Sequence, residues 1–141
     1  MMKRTIRLDD MLGATESFAT FHEASLLILN INYEGRDLIA EFDICVSDPN
    51  DSDHIDRERR RRGRLCLAGL ILWACEPPRV TERCEWTPWL TSDGMLEEAP
   101  TEEGKRLAIT VGDDEIAWYL YFNDLNAFAY CVAQEARFEW L

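Results

Sequence analysis

With 141 residues, a hydrophobic fraction of 47% and a formal net charge of −12, the chain can bury one core and is too apolar to stay disordered. A pI near 4.5 excludes nucleic acid as the default partner, because phosphate binding draws on Lys and Arg in excess. The same balance suits a basic protein partner and keeps the chain soluble by self-repulsion.

Met1-Met2-Lys3-Arg4 is basic, but no apolar stretch of signal-peptide length follows before Asp9 and Asp10. The longest apolar run, Leu65 to Cys75, is about half of the ~20 residues a membrane helix needs, and Gly69 interrupts it. A cytoplasmic protein with no membrane association is expected, forming a single domain over residues 1–141. Asp9 to Thr20 is a weak helix candidate.

From Leu27 to Tyr33, Leu27, Leu29, Ile31 and Tyr33 share one parity while Asn30 and Asn32 take the other, the two-residue period of a half-buried strand. Glu34-Gly35-Arg36-Asp37 turns the chain, with Gly35 free to take positive φ. Leu38, Ala40, Phe42, Ile44 and Val46 then alternate with Ile39, Glu41, Asp43 and Cys45, completing a hairpin.

The stretch 47–53 is dense in turn formers and is expected to be exposed. Asp48, Asn50 and Ser52 have the spacing that opens a calcium loop. Asp53 then replaces the required glycine and Arg59 the bidentate glutamate, so no metal is assigned.

An abrupt reversal of charge follows. Residues 57–64 hold six arginines and one glutamate, a local +5 that leaves −17 on the rest of the chain. A strand from about Arg59 to Glu76 would exceed 50 Å unbroken at ~3.3 Å per residue, so a bend or bulge is expected near Gly63 or Gly69. Antiparallel pairing in which partner numbers sum to about 103 sets Glu41 against Arg62 and Asp43 against Arg60 outside, Leu38 against Leu65 and Ala40 against Gly63 inside. The arginines are thereby read first as partners of the chain's own carboxylates. A second reading makes Asp48, Asp51, Asp53, Asp56, Arg60 and Arg62 a surface for a protein partner.

Pro77 and Pro78 end that strand. Residues 80–106 read as irregular, with Trp86, Trp89 and Leu90 as anchors. Leu107, Ile109 and Val111 read as a short strand, Gly112-Asp113-Asp114 as a tight turn, and Ile116, Trp118, Leu120 and Phe122 as the returning strand of a second hairpin. After the Asn123-Asp124-Leu125-Asn126 turn, Phe128, Tyr130 and Val132 and then Phe138 and Trp140 alternate. Strand is favoured over a helix capped at Asn123-Asp124. The expected fold is one mainly antiparallel β domain of six or seven strands, a half-barrel or sandwich, with one or two short helices at most.

Little chemistry is written in the residue types. Cys45, Cys66, Cys75, Cys84 and Cys131 form no metal-ligand or redox spacing and read as reduced thiols. With His22 and His54 the only histidines, no catalytic triad, metal centre or cofactor is assigned. His22 and Glu23, just before the first strand, and Asn123, Asp124 and Asn126 in the last turn are the groups that would line a small-ligand pocket if they converged. That arrangement would make the chain a ligand-binding protein or an enzyme. The preferred expectation is a non-catalytic binding protein with an acidic surface.

Phe21-His22-Glu23-Ala24, Gly69-Leu70 leading to Glu76-Pro77-Pro78, Asn123 to Phe128, and Ala136-Arg137-Phe138-Glu139-Trp140 together resemble a group of small uncharacterised bacterial proteins. These open with Phe-His-Asp-Ala; here Glu23 stands where Asp is usual. The resemblance spans most of the chain and brings no activity with it. At the level of fold, the chain is also similar to small acidic immunity proteins of contact-dependent toxin systems, which would imply occlusion of a basic partner.

Overall fold

Among the described residues six antiparallel strands, β1 (Thr20–Asn32), β2 (Asp37–Cys45), β3 (Arg60–Cys75), β4 (Trp89–Met95), β5 (Ile116–Phe122) and β6 (Ala127–Trp140), close into a barrel in the order β1-β2-β3-β6-β5-β4, with β4 returning to β1. The computed structural model describes residues 4–48, 50, 59–80 and 87–141. Of the hairpin read from the sequence, β1 spans Thr20–Asn32 and β2 spans Asp37–Cys45. The positive φ in their turn falls on Arg36 (φ 58) rather than Gly35, whose amide instead donates to Asn32 Oδ1 at 2.9 Å. Leu38, Ala40, Phe42 and Ile44 all point into the core, as their parity requires.

β3 runs from Arg60 to Cys75, and its register differs from the expected one by two residues. Glu41 faces Arg64 and Asp43 faces Arg62; Ala40 faces Leu65, and Phe42 faces Gly63. A shift of two keeps every side chain on its face, so outer charges cannot choose between the two registers. Volume can. The observed register sets bulky Phe42 against Gly63, over which the Phe138 ring lies so closely that a Cβ would stand 2.1 Å from its Cζ. The expected break in β3 is at Gly69, in left-handed backbone (φ +62), just before the register to β6 slips between Leu70 and Leu72.

Within the region 80–106, residues 87–106 are more ordered than the sequence suggests. They contain β4, Trp89–Met95, a 3-10 turn at Leu96–Glu98 and the start of helix α1, Glu102–Ile109. Leu107 and Ile109 therefore belong to a helix, and the strand read there is corrected. Thr101 caps α1 by accepting from Gly104 N at 3.1 Å, and Ile109 is 83% exposed, so the apparent alternation was fortuitous. The second hairpin is instead β5, Ile116–Phe122, with β6, Ala127–Trp140, joined through the Asn123–Asn126 turn.

β6 pairs with β3 on one side and β5 on the other, and its first half is buried on both faces. Ala129, Cys131 and Ala133 face the barrel interior, while Tyr130 and Val132 pack with Leu96, Ala99, Ala108 and Ala117 outside it. The weak N-terminal helix is a 3-10 turn, Leu8–Leu12, whose Leu8 and Leu12 enter the barrel. Trp118 Nε1 fixes it by donating to Ile6 O at 2.8 Å. With this segment in place the interior is filled: the void among Leu8, Leu38, Phe42, Trp118 and their neighbours is about 10 Å³.

Candidate functional site

The segment Phe21-His22-Glu23-Ala24 is a distortion of β1. Its register to β2 slips between Thr20 and Ser25, and Glu23 takes φ 67. Phe21 and Ala24 turn into the core, leaving His22 and Glu23 exposed. Two donors hold the bend by its backbone, Trp89 Nε1 and Arg60 Nη2 reaching Glu23 O at 2.8 and 3.1 Å.

His22 Nδ1 lies 2.8 Å from Thr91 O on β4, and since a carbonyl only accepts, Nδ1 carries the proton. Nε2 is left 3.9 Å from Glu23 Oε1. Among the described residues His22 bonds to Thr91 O through its ring and to Thr20 Oγ1 through its backbone amide, not to the Asn123–Asn126 turn. That turn is tied to the bend indirectly: Trp89 N donates to Asp124 Oδ1 at 3.0 Å while the same residue's indole reaches Glu23. Asn126 accepts from Tyr121 Oη at 2.7 Å and adopts φ 47, and Asn123 is exposed. Of the groups proposed to line a pocket, Glu23 and Asp124 are thus joined through Trp89 into a braced corner at the β1–β4 seam.

A different set of titratable groups gathers beside His22. Asp93, on β4, is pushed up to about 6, chiefly by burial and then by the Asp9 carboxylate, with Arg7 and His22 opposing. Asp9 accepts from Thr20 Oγ1 (3.0 Å) and Phe21 N (2.9 Å). Arg7 makes a two-pronged pair with Glu98 at 2.9 and 3.0 Å, which holds the Glu98 carboxyl below its ordinary range. Residues 7, 9, 22, 93 and 98 come from three separate segments, and no local pattern in the sequence joins them. Among the described residues no group of three or more His, Cys, Asp or Glu side chains is placed to hold a metal ion.

The arginine segment is largely neutralised by carboxylates of its own chain. Arg60 meets Asp43 at 2.9 Å, Arg64 bridges Glu41 (2.8 Å) and Glu139 (3.0 Å), and Arg59 and Arg61 share Glu16 at 2.8 and 3.2 Å. Arg61 also lies 5.2 Å over the Trp140 ring. Arg62 is exposed and has no ion-pair partner among the described residues. Of the acidic residues read as a partner surface, Asp48 accepts from Asn50 N at 2.8 Å. Asp51, Asp53 and Asp56, with His54, Cys84 and Trp86, lie outside the described residues.

A second acidic feature went unread in the sequence. Arg4, Gly112, Asp113, Asp114, Glu115, Gln134 and Glu135 border an open depression of about 700 Å³. Gly112-Asp113-Asp114 was legible as a turn, but nothing local placed it beside β6 and Arg4.

No protein-family model and no curated protein matches this chain. Among solved structures it is similar to an uncharacterized protein from Neisseria gonorrhoeae, with a TM-score of 0.49 and 12% identity, over 87% of this chain and 96% of that one.

Proposed function

We propose that this is a non-catalytic, cytoplasmic bacterial binding protein whose acidic outer surface engages a basic protein partner, as an immunity protein occludes a toxin. The filled barrel carries this reading. An interior void of about 10 Å³ offers nothing like the ~300–1,000 Å³ of a small-molecule site, so recognition falls to the outside. There the net charge of −12 would speed encounter with a cation-rich surface, and the paired state of Arg59, Arg60, Arg61 and Arg64 leaves carboxylates in excess. Immobilised protein incubated with extract of the native host should retain a basic protein at low salt and release it at high salt. Retention of no salt-sensitive partner would overturn the reading.

A ligand-binding or enzymatic reading has one observation in its favour, the exposed His22 with Nε2 unburdened by the barrel and Asp93 nearby. Small-molecule binding abolished together by His22→Ala and Asp93→Asn would support it. Binding indifferent to both substitutions would dismiss it.

A further inference from the structure

The acidic depression continues into an apolar groove. The end of α1, the Leu96–Glu98 turn and the start of β5 enclose a cleft of about 30 Å³ in which Leu96, Ala108, Val111 and Ala117 meet Arg4, Glu97 and Glu115. Arg4, Gly112 and Glu115 line both concavities, so the two form one surface. Among the described residues five carboxylates border it, those of Glu97, Asp113, Asp114, Glu115 and Glu135, against one cation, Arg4. Ile109, 83% exposed, ends α1 two residues before Val111 of the lining.

An apolar floor with an acidic rim selects a particular side chain. A long aliphatic stem can lie along Ala108, Val111 and Ala117 while its cationic head reaches the rim, which describes Lys or Arg. A neutral apolar occupant would strip water from the rim carboxylates without replacing it, and an acidic one would be repelled. The chain already shows how a guanidinium is received: Arg4 Nη1 donates to Gln134 O at 2.9 Å and Asp114 O at 3.2 Å, and lies 3.5 Å from Glu135 Oε1.

We propose that this groove is the docking surface for an extended basic segment of a partner protein, its Lys or Arg seated between the Val111 floor and the carboxylate rim and an adjacent apolar residue resting on Ile109. The proposal rests on the functional reading above and names its surface. It can be tested with a synthetic peptide of alternating Arg and Leu, and a Glu-Leu peptide as control, titrated into the isotopically labelled protein at ~0.15 M salt while amide shifts are followed by NMR. Shifts should concentrate in residues 95–97, 108–117 and 134–135. The double variant Glu97→Lys, Asp114→Lys should weaken the peptide by ~10-fold and Ile109→Ser by ~3-fold, with the rest of the spectrum unchanged to show that the fold is intact. Asp48→Lys, beyond the end of β2 and three strands around the barrel from β5, should change affinity by less than ~2-fold. Shifts centred on Asp48, or equal loss from Asp48→Lys, would overturn the groove while leaving a basic partner in place. No binding of the Arg-Leu peptide even at low salt would overturn both.

Discussion

Glu23 is held in left-handed backbone by donors from two other strands, Arg60 Nη2 and Trp89 Nε1, both aimed at its carbonyl. For an L-residue with a long side chain this conformation costs ~1–2 kcal/mol, and Asn accepts it more readily. Replacing Glu23 with Asn should therefore stabilise the fold by ~0.5–1 kcal/mol, read as a higher urea midpoint at unchanged slope. An unchanged or lower midpoint would mean that the Glu23 carboxylate does more than solvate the bend. Asp93 makes the second residue-scale prediction. An unfolded Asp titrates near ~3.9, whereas burial and Asp9 raise the folded one to about 6. Between those values the folded state keeps a proton that the unfolded state releases, so this group's contribution is complete below ~pH 4 and is lost as pH rises through 6. Part of the side chain reaches solvent, which screens the effect. Asp93→Asn should flatten the melting temperature between ~pH 4 and 7 and raise it at the upper end; a variant that tracks the parent throughout would refute the assignment.

Among the elements, the bulge of β3 gives the cleanest test, because two costs coincide at Gly69. A Cβ there would stand 2.4 Å from Gln134 Oε1, and φ is +62. Gly69→Ala should cost ~2–3 kcal/mol, and adding Gln134→Gly, which also removes the Gln134 Cβ that would stand 2.9 Å away, should restore the steric part and leave at least the ~1–2 kcal/mol of left-handed backbone. Equilibrium unfolding of the single and double variants separates the two. This bulge was legible in the sequence because an overlong strand must break and glycine is where it can. β2 was legible because its two parities differ in polarity, and β6 because large side chains recur at two-residue spacing in each half, Phe128, Tyr130 and Val132 outside the barrel and Phe138 and Trp140 against its core. The helix was not, since its buried stripe is only Gly104 and Ala108, two small residues that leave no apolar period. The register of β2 on β3 was missed by two because charge pairing is indifferent to that step, while the deciding contact of Phe42, Gly63 and Phe138 joins three distant segments. The candidate site was legible only as the residues of a bend. Its titratable neighbours Asp9 and Asp93 lie on other strands and turns, beyond any local pattern.

At the scale of the whole molecule, long-range repulsion among surplus carboxylates competes with short contacts such as Arg64 to Glu41 at 2.8 Å. Salt near ~0.15 M, with a Debye length of ~8 Å, screens the former more than the latter. Thermal stability should therefore rise between low and physiological ionic strength, and a fall would show that the arginine pairs dominate. The position of β6 has a different consequence. A chain made from its N-terminus has synthesised β1 to β5 before the strand that must lie between β3 and β5 exists. Leu8 and Leu12 leave the ribosome early yet find their seat only once Cys131 and Ala133 have followed. Native closure therefore waits for β6, and an arrested nascent chain ending short of it would present its unpaired strand borders to chaperones and proteases.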